Sequence, residues 1–445
     1  MTPAAAAEAR ERTLRVTELL DAWPVLSAEE RLEGLRLLPH ADAEDLLLSL
    51  PARDQAELIL ETSAGERRSW MRLLPPDDAA DVVQAAPQAE REGLLALLDE
   101  PTRKEVAALL AYAEDDAGGL MNPRYARLRP DMTVDEAISY LRRQSRESPE
   151  SFYYIYVLDE HQRLLGVVSF RELFSANATA RVRDIMHGEV VSVSDQMDQE
   201  MVSREFQAHR FTAMPVVDAE GHMKGIVTAD DIADVVREEA TEDIQKLGGM
   251  EALDEPYMNV AFMSMIKKRA GWLSALFLGE MLTATAMGYF QSEIARAVVL
   301  TLFIPLIISS GGNSGSQATT LVIRAMALGE VGLRDWWRVV RRELFAGLAL
   351  GTILGSIGFV RIVAWQQLRP TYGPHYMLIA VTVLGSLIGV VTFGTLAGSL
   401  LPFLLRTLRL DPASASAPFV ATLADVTGLV IYFTLASLIL HGALL

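Results

Sequence analysis

A chain of 445 residues is too long for one hydrophobic core, since cores seldom grow past ~250 to 300 residues, so a multi-domain protein is expected. Its 58 Asp and Glu against 40 Lys and Arg leave a net charge of −18, and the imbalance lies in one part: residues 1–260 hold 51 acids and 27 bases, the remainder 7 and 13. So acidic a segment repels nucleic acid and anionic headgroups, which leaves cations as its partners, with a merely solubilising surface as the alternative; the absence of cysteine excludes disulfides, thiolate metal sites and cysteine catalysis.

Met1 to Arg12 carries charges but no apolar core, so no signal peptide is expected and the N-terminal half belongs in the cytosol. From about Thr13 to Ala113 apolar residues recur at helical spacing, interrupted at Leu37-Leu38-Pro39, Ser49-Leu50-Pro51 and Leu73-Leu74-Pro75. The pattern predicts short helices stacked into an all-α superhelix over residues 1–118. Asp77, Asp78 and Asp81 follow one of these prolines at a predicted helix start, where the helix dipole favours carboxylates. Capping accounts for one of the three.

Residues 119–183 and 184–240 form an internal duplication. Val157-Leu158-Asp159, Gly166-Val167-Val168-Ser169 and Glu172 recur as Val216-Val217-Asp218, Gly225-Ile226-Val227-Thr228 and Asp231, offset by 59. Each unit reads as strand, helix, strand, turn, strand, helix, an α/β arrangement with Asp159 and Asp218 opening the hairpin turns. This resembles a tandem pair of CBS domains, modules that often bind adenosine nucleotides. Ser169 with Glu172, and Thr228 with Asp231, have the hydroxyl-x-x-acid form that holds a ribose in such domains and that also makes a capping box, so an adenine nucleotide stays open. Asp230, Asp231, Asp234, Glu238, Glu239, Glu242 and Asp243 share one predicted long helix, where like charges three and four apart repel by ~0.2 to 0.5 kcal/mol per pair. A bound cation or a solvated face must offset this. Residues 241–269 are predicted to be a connecting helix running into the membrane.

Beyond Arg269 five apolar runs, about 272–294, 298–323, 344–364, 377–405 and 419–440, each approach or exceed the ~20 residues of a spanning helix. Lys267, Lys268 and Arg269, then Arg324, Arg334, Arg338, Arg341 and Arg342, then Arg406 and Arg409 mark one side; Arg296, Arg361 and Arg369 alone mark the other. The N-terminus is therefore expected inside and the C-terminus outside. Asp425 lies within the fifth run, where a carboxylate costs ~2.5 to 3.5 kcal/mol or more unless it meets water, a cation or a partner. Ser309 to Thr320 is a polar, glycine-rich stretch in the second run, expected to be weakly helical and to line a pore; close packing of small residues is the alternative, though it leaves Asn313 and Gln317 unexplained. Glu280 in the first run is a weaker candidate. Mg²⁺, held by one or two carboxylates with its waters retained, suits one Asp per chain, and a two-fold dimer would oppose two such residues.

Four motifs carry a family resemblance over nearly the whole length: Asp115-Asp116-Ala117-Gly118-Gly119-Leu120-Met121, Glu239-Ala240-Thr241-Glu242-Asp243-Ile244, Gly311-Gly312-Asn313 with Gln317, and Ala421-Thr422-Leu423-Ala424-Asp425-Val426-Thr427-Gly428. Together they resemble the MgtE family of bacterial Mg²⁺ channels. The resemblance implies a helical N domain, two CBS units, a connecting plug helix over 241–269 and a five-helix pore domain over 270–445, assembled as a membrane-embedded homodimer. It assigns ion selectivity to Asp425, with Asn313, Gly312, Gln317 and the backbone of Ala421 nearby. It implies regulatory Mg²⁺ at Asp77, Asp81, Asp198, Glu200, Asp231, Asp234, Glu239, Glu242, Asp243 and Asp411, drawing repelling carboxylates together to close the pore. Arg210 stands where an acid is expected, Ser309 replaces a pore glycine, and Ser316 and Ala417 stand where the family can carry Asn. A proton-coupled divalent-cation transporter using the same ion site is the other reading.

Overall fold

The structure, a computed structural model, describes residues 16–147, 154–253, 257–258, 260–369 and 371–442. Residues 1–15, on which the signal-peptide reading and the first residues of the superhelix fall, lie outside these. The chain divides into two compact units, Met1–Arg237 and Glu238–Leu445.

The described residues of the first unit open with eight α-helices: α1 (Val16–Ala22), α2 (Ala28–Leu37), α3 (His40–Ser49), α4 (Ala52–Glu61), α5 (Ala64–Leu73), α6 (Pro76–Ala85), α7 (Gln88–Leu95) and α8 (Glu100–Leu109). Proline sits at the N-cap of α3, α4, α6 and α7, where its missing N–H is no loss, and reciprocal boxes of Ser27 with Glu30 and Ser63 with Glu66 start α2 and α5. Helices two apart pack together, α2 on α4, α4 on α6 and α6 on α8, the pattern of a superhelical stack. The leucines before the prolines, Leu38, Leu50 and Leu74, are its buried pegs.

A short α9 (Ala117–Leu120) leads into the duplicated α/β part. The first copy comprises β1 (Ala126–Leu128), α10 (Val134–Glu147), β2 (Tyr154–Leu158), β3 (Leu164–Ser169) and α11 (Phe170–Ser175). After α12 (Val182–Ile185) the second comprises β4 (Val193–Ser194), α13 (Gln199–His209), β5 (Ala213–Val217), β6 (Met223–Thr228) and α14 (Ala229–Leu247). Each sheet pairs its first strand parallel and its hairpin antiparallel. The hairpins and the starts of α11 and α14 repeat at the 59-residue offset, but α11 stops at Ser175 whereas α14 continues to Leu247. Asp159 and Asp218 each accept two backbone N–H groups in their turns, as the turn reading requires. The second copy shares one core with the helical stack: Val83, Val106, Val202, Met214 and Val227 lie in a single buried cluster.

In the second unit the chain leaves helix after Leu247, turns at Gly249 (φ 74°) and is helical again from Phe262, so the connecting helix expected over 241–269 is interrupted. The left-handed φ there favours glycine. Among the described residues, five helices are long and apolar enough to cross a membrane. They are α15 (Phe262–Tyr289); α17 (Ile304–Ala327), which follows a short α16 (Gln291–Arg296) and a 3₁₀ segment Val298–Phe303; α18 (Trp336–Leu368); α19 (Tyr376–Thr407); and α20 (Ala417–Leu440). α19 is central, packed on α17, α18 and α20, while α15 touches chiefly α20 and buries none of its residues.

The polar glycine-rich stretch is a continuous part of α17, which corrects the expectation of weak helicity. Its glycines serve helix packing: a Cβ on Gly315 would meet the Gly394 carbonyl oxygen at 2.9 Å, and one on Gly394 or Gly398 would strike the backbone of Gly311 or Gly315. Gly347, Gly351 and Gly355 likewise place α18 against α19. Neighbouring helices hold the stretch helical because the backbones can touch there.

Candidate ion sites

In the cytosolic unit, Asp77 lies in the first turn of α6 and is only 8% exposed, accepting a hydrogen bond from Asn122 Nδ2 at 3.1 Å. Asp231, in the first turn of α14, accepts from the Thr228 N–H (3.0 Å) and hydroxyl (2.7 Å). The fold brings these two carboxyls together with that of Asp78. Burial, then repulsion from Asp231 and Asp78, holds the Asp77 carboxyl well above the ordinary range. Burial also raises Asp231, against the hydrogen bond from Thr228 and with help from Asp230 and Asp78. Three converging carboxyls disfavour their own charge, which a divalent cation would restore. Asp78 was not among the residues named for the site; its place beside Asp77 and Asp81 was its only sequence signal.

Other regulatory candidates are engaged elsewhere. Asp198 caps α13 through the Glu200 N–H (3.0 Å), Glu200 pairs with Arg204, and Asp234 pairs with Arg237 at 2.7 Å. Arg210 closes α13 in the left-handed conformation (φ 54°). Ser169 with Glu172, and Thr228 with Asp231, both hold helix starts, the first further tied to His187 through Glu172. Asp218, Glu220 and His222 also bring ligand atoms together, but Lys224 already stands 3.0 Å from Asp218.

In the second unit, Lys246 lies between Glu242 and Asp411, 2.7 Å from the latter, so an ammonium stands where the resemblance implies an ion. Its pKa is raised by those two carboxylates against the opposing effect of burial. Asp411 also caps a 3₁₀ turn through the Ala413 N–H at 2.9 Å. Glu239 and Asp243 lie on the same helix, α14.

Within the membrane helices, Asp425 on α20 is half-buried. Gly312 of α17 packs on Ala421 and Asp425: a Cβ there would lie 3.3 Å from Ala421 and 3.9 Å from Asp425 Oδ1. The named Gly312, Ala421 and Asp425 therefore converge. Ser309, Asn313 and Gln317 form an exposed polar stripe along α17, with Asn313 Nδ2 3.4 Å from Ser309 Oγ. Ser316 donates to the Ala417 carbonyl (3.2 Å), so these two departures bind α17 to the start of α20. A seam fixes α15 to α20: Trp272 Nε1 donates to Ser416 Oγ (3.1 Å), Gly279 meets Thr422, and the Glu280 carboxyl is within hydrogen-bonding reach of Asp425.

Residues 14–115 match the profile of the MgtE intracellular N domain, 117–178 and 182–238 the CBS domain, and 304–435 the MgtE divalent cation transporter. The magnesium transporter MgtE of Thermus thermophilus is 42% identical over 428 residues, 96% of this chain and 93% of that one. The chain belongs to the MgtE family of magnesium transporters. The MgtE of Enterococcus faecalis is 33% identical over 76% of this chain and 72% of its own length. Among solved structures, the cytosolic domain of the Mg²⁺ channel MgtE in complex with ATP covers 53% of this chain and 95% of its own at 43% identity, with a TM-score of 0.47. Membership gives Mg²⁺ as the transported ion and places the CBS units in the cytosol.

Proposed function

We propose that this chain is a Mg²⁺-selective channel, a homodimer with its pore on the two-fold axis, closed by cytosolic Mg²⁺ bound at its acidic residues. The observation that carries the reading is the stripe of Ser309, Asn313 and Gln317, exposed on a membrane helix whose glycines bring it against the Asp425 helix. Left facing lipid, such a stripe and a half-buried carboxyl are costly; a second copy across an axis turns them into a polar conduit. Asp425 and its symmetry mate would then supply two carboxylates at one level, and Asn313, Gln317 and the Ala421 backbone would contact the ion's retained waters. The C-terminus lies outside, five spans from the cytosolic side.

Closure follows from electrostatics. Asp77, Asp78 and Asp231 repel without an ion and draw together with one, and Asp81, Asp198, Glu200 and Asp234 add charge to the same unit. Glu239 and Asp243 add charge on α14, Mg²⁺ at Glu242 and Asp411 would displace the Lys246 ammonium between them, and the Trp272–Ser416 and Glu280–Asp425 contacts connect the first span to the ion-site helix. Planar-bilayer recording of the full chain with internal Mg²⁺ varied tests this reading. Unitary Mg²⁺ currents that close as internal Mg²⁺ rises are expected, and currents indifferent to internal Mg²⁺ would contradict the closure model.

The Glu280–Asp425 contact favours a second reading, proton-coupled transport, because two facing carboxyls are satisfied by a shared proton as well as by a cation. Flux that stops whenever the pH gradient is removed would establish it over the channel.

A further inference from the structure

The loop after α17 and the first turns of α18 line an open-sided cavity of about 830 Å³. One wall is a single helical stripe, Arg338, Arg341, Arg342 and Phe345, at positions i, i+3, i+4 and i+7. Val331 and Val339 form an apolar floor, packed on Val322, Met326 and Phe403. Two acids also line it. Asp335 is engaged, capping Gly332 (3.1 Å) and pairing with Arg338 (3.1 Å), and Glu330 is the other. Arg341 and Arg342 are exposed and make no ion pair or side-chain hydrogen bond among the described residues.

Two spans separate this loop from the cytosolic CBS units, so it lies on the cytosolic side. Trp336 and Trp337, both exposed, mark the level of the membrane interface. Phe345 then lies roughly 10 Å deeper than Arg338, at 1.5 Å per residue. Cationic groups at headgroup depth above an aromatic ring at acyl depth match a phospholipid along the membrane normal. The preference for basic residues at the cytosolic ends of spans is met by any placement, Arg334 outside the cavity included, and does not call for a walled site with an apolar floor. Basic pockets on this side of membrane helices suit anionic headgroups. We propose that the cavity binds an anionic phospholipid of the cytosolic leaflet, its phosphate held by Arg341 and Arg342 and its glycerol and acyl chain lying over Phe345.

The test is native mass spectrometry of the full chain released from bilayers of equal parts phosphatidylcholine and phosphatidylglycerol. Preferential retention of phosphatidylglycerol is expected. It should fall roughly fivefold in R342Q and about thirtyfold in R341Q/R342Q, each basic group at an anionic surface contributing on the order of fivefold. R334Q, an equal loss of charge outside the cavity, should retain the lipid, and the single variant serves if the double one does not assemble. Equal retention of phosphatidylcholine would overturn the proposal. So would an equal loss in R334Q, which indicates general attraction to the leaflet, or displacement by inorganic phosphate, which indicates a free-anion site.

Discussion

At the residue scale, Asp77 and Asp231 are proton-sensitive whether or not they hold the proposed Mg²⁺. Burial and mutual repulsion raise the folded pKa of Asp77, and that of Asp231 to about 7, above the ordinary 3.8. Without Mg²⁺ their contribution to stability is therefore fully present below about pH 4 and is lost as pH rises through about 7. Mg²⁺ must displace the same protons, so it should stabilise more above that window than below it. Hydrogen exchange over residues 76–85 of the full chain, corrected for intrinsic rates, checks both signs: slower at about pH 5 than about pH 8 without Mg²⁺, and a larger slowing by Mg²⁺ at about pH 8. Lys246 offers a second prediction. Its ammonium already neutralises Glu242 and Asp411, so Lys246→Gln leaves two carboxylates repelling. Under the closure model, half-inhibition then requires a higher internal Mg²⁺ in bilayer recordings; an unchanged value would remove Lys246 from gating.

At the element scale, what was legible depended on local pattern. The proline-started helices, the 59-residue repeat and the five apolar runs are written in neighbouring residues, and each forms close to where it was expected. The Ser309–Thr320 stretch was misread because its conformation is decided by another helix: Gly311 and Gly315 meet Gly394 and Gly398 across the α17–α19 contact, and sequence does not reveal that pairing. Lys246 between Glu242 and Asp411 was missed for the same reason. The helix contact gives its own prediction. Gly394→Val has no room against the Gly311 backbone and should destabilise the chain by ~1 to 3 kcal/mol, as overpacking does. Gly288→Ala, with nothing within 4 Å of the added carbon, should be neutral or slightly stabilising. Thermal unfolding of the two variants in detergent distinguishes them, and equal behaviour would contradict the packing account.

At the scale of the whole molecule, an acidic cytosolic unit precedes a helical unit that carries a polar seam. The charge imbalance, the repeat and the spans are legible in the sequence, and Asp425 with the four motifs that resemble the MgtE family turns them into a cation transporter. Which carboxyls meet depends on long-range packing, so Asp78 and the Glu280–Asp425 contact emerge only in three dimensions. The account rests on the negative charge of Asp425 beside the ion's path. Mg²⁺ uptake into liposomes by Asp425→Asn, which keeps the side chain's shape and removes its charge, tests this most directly. With dimer assembly equal to the parent's, the account predicts uptake reduced to the level of empty liposomes; uptake at the parental rate would contradict it.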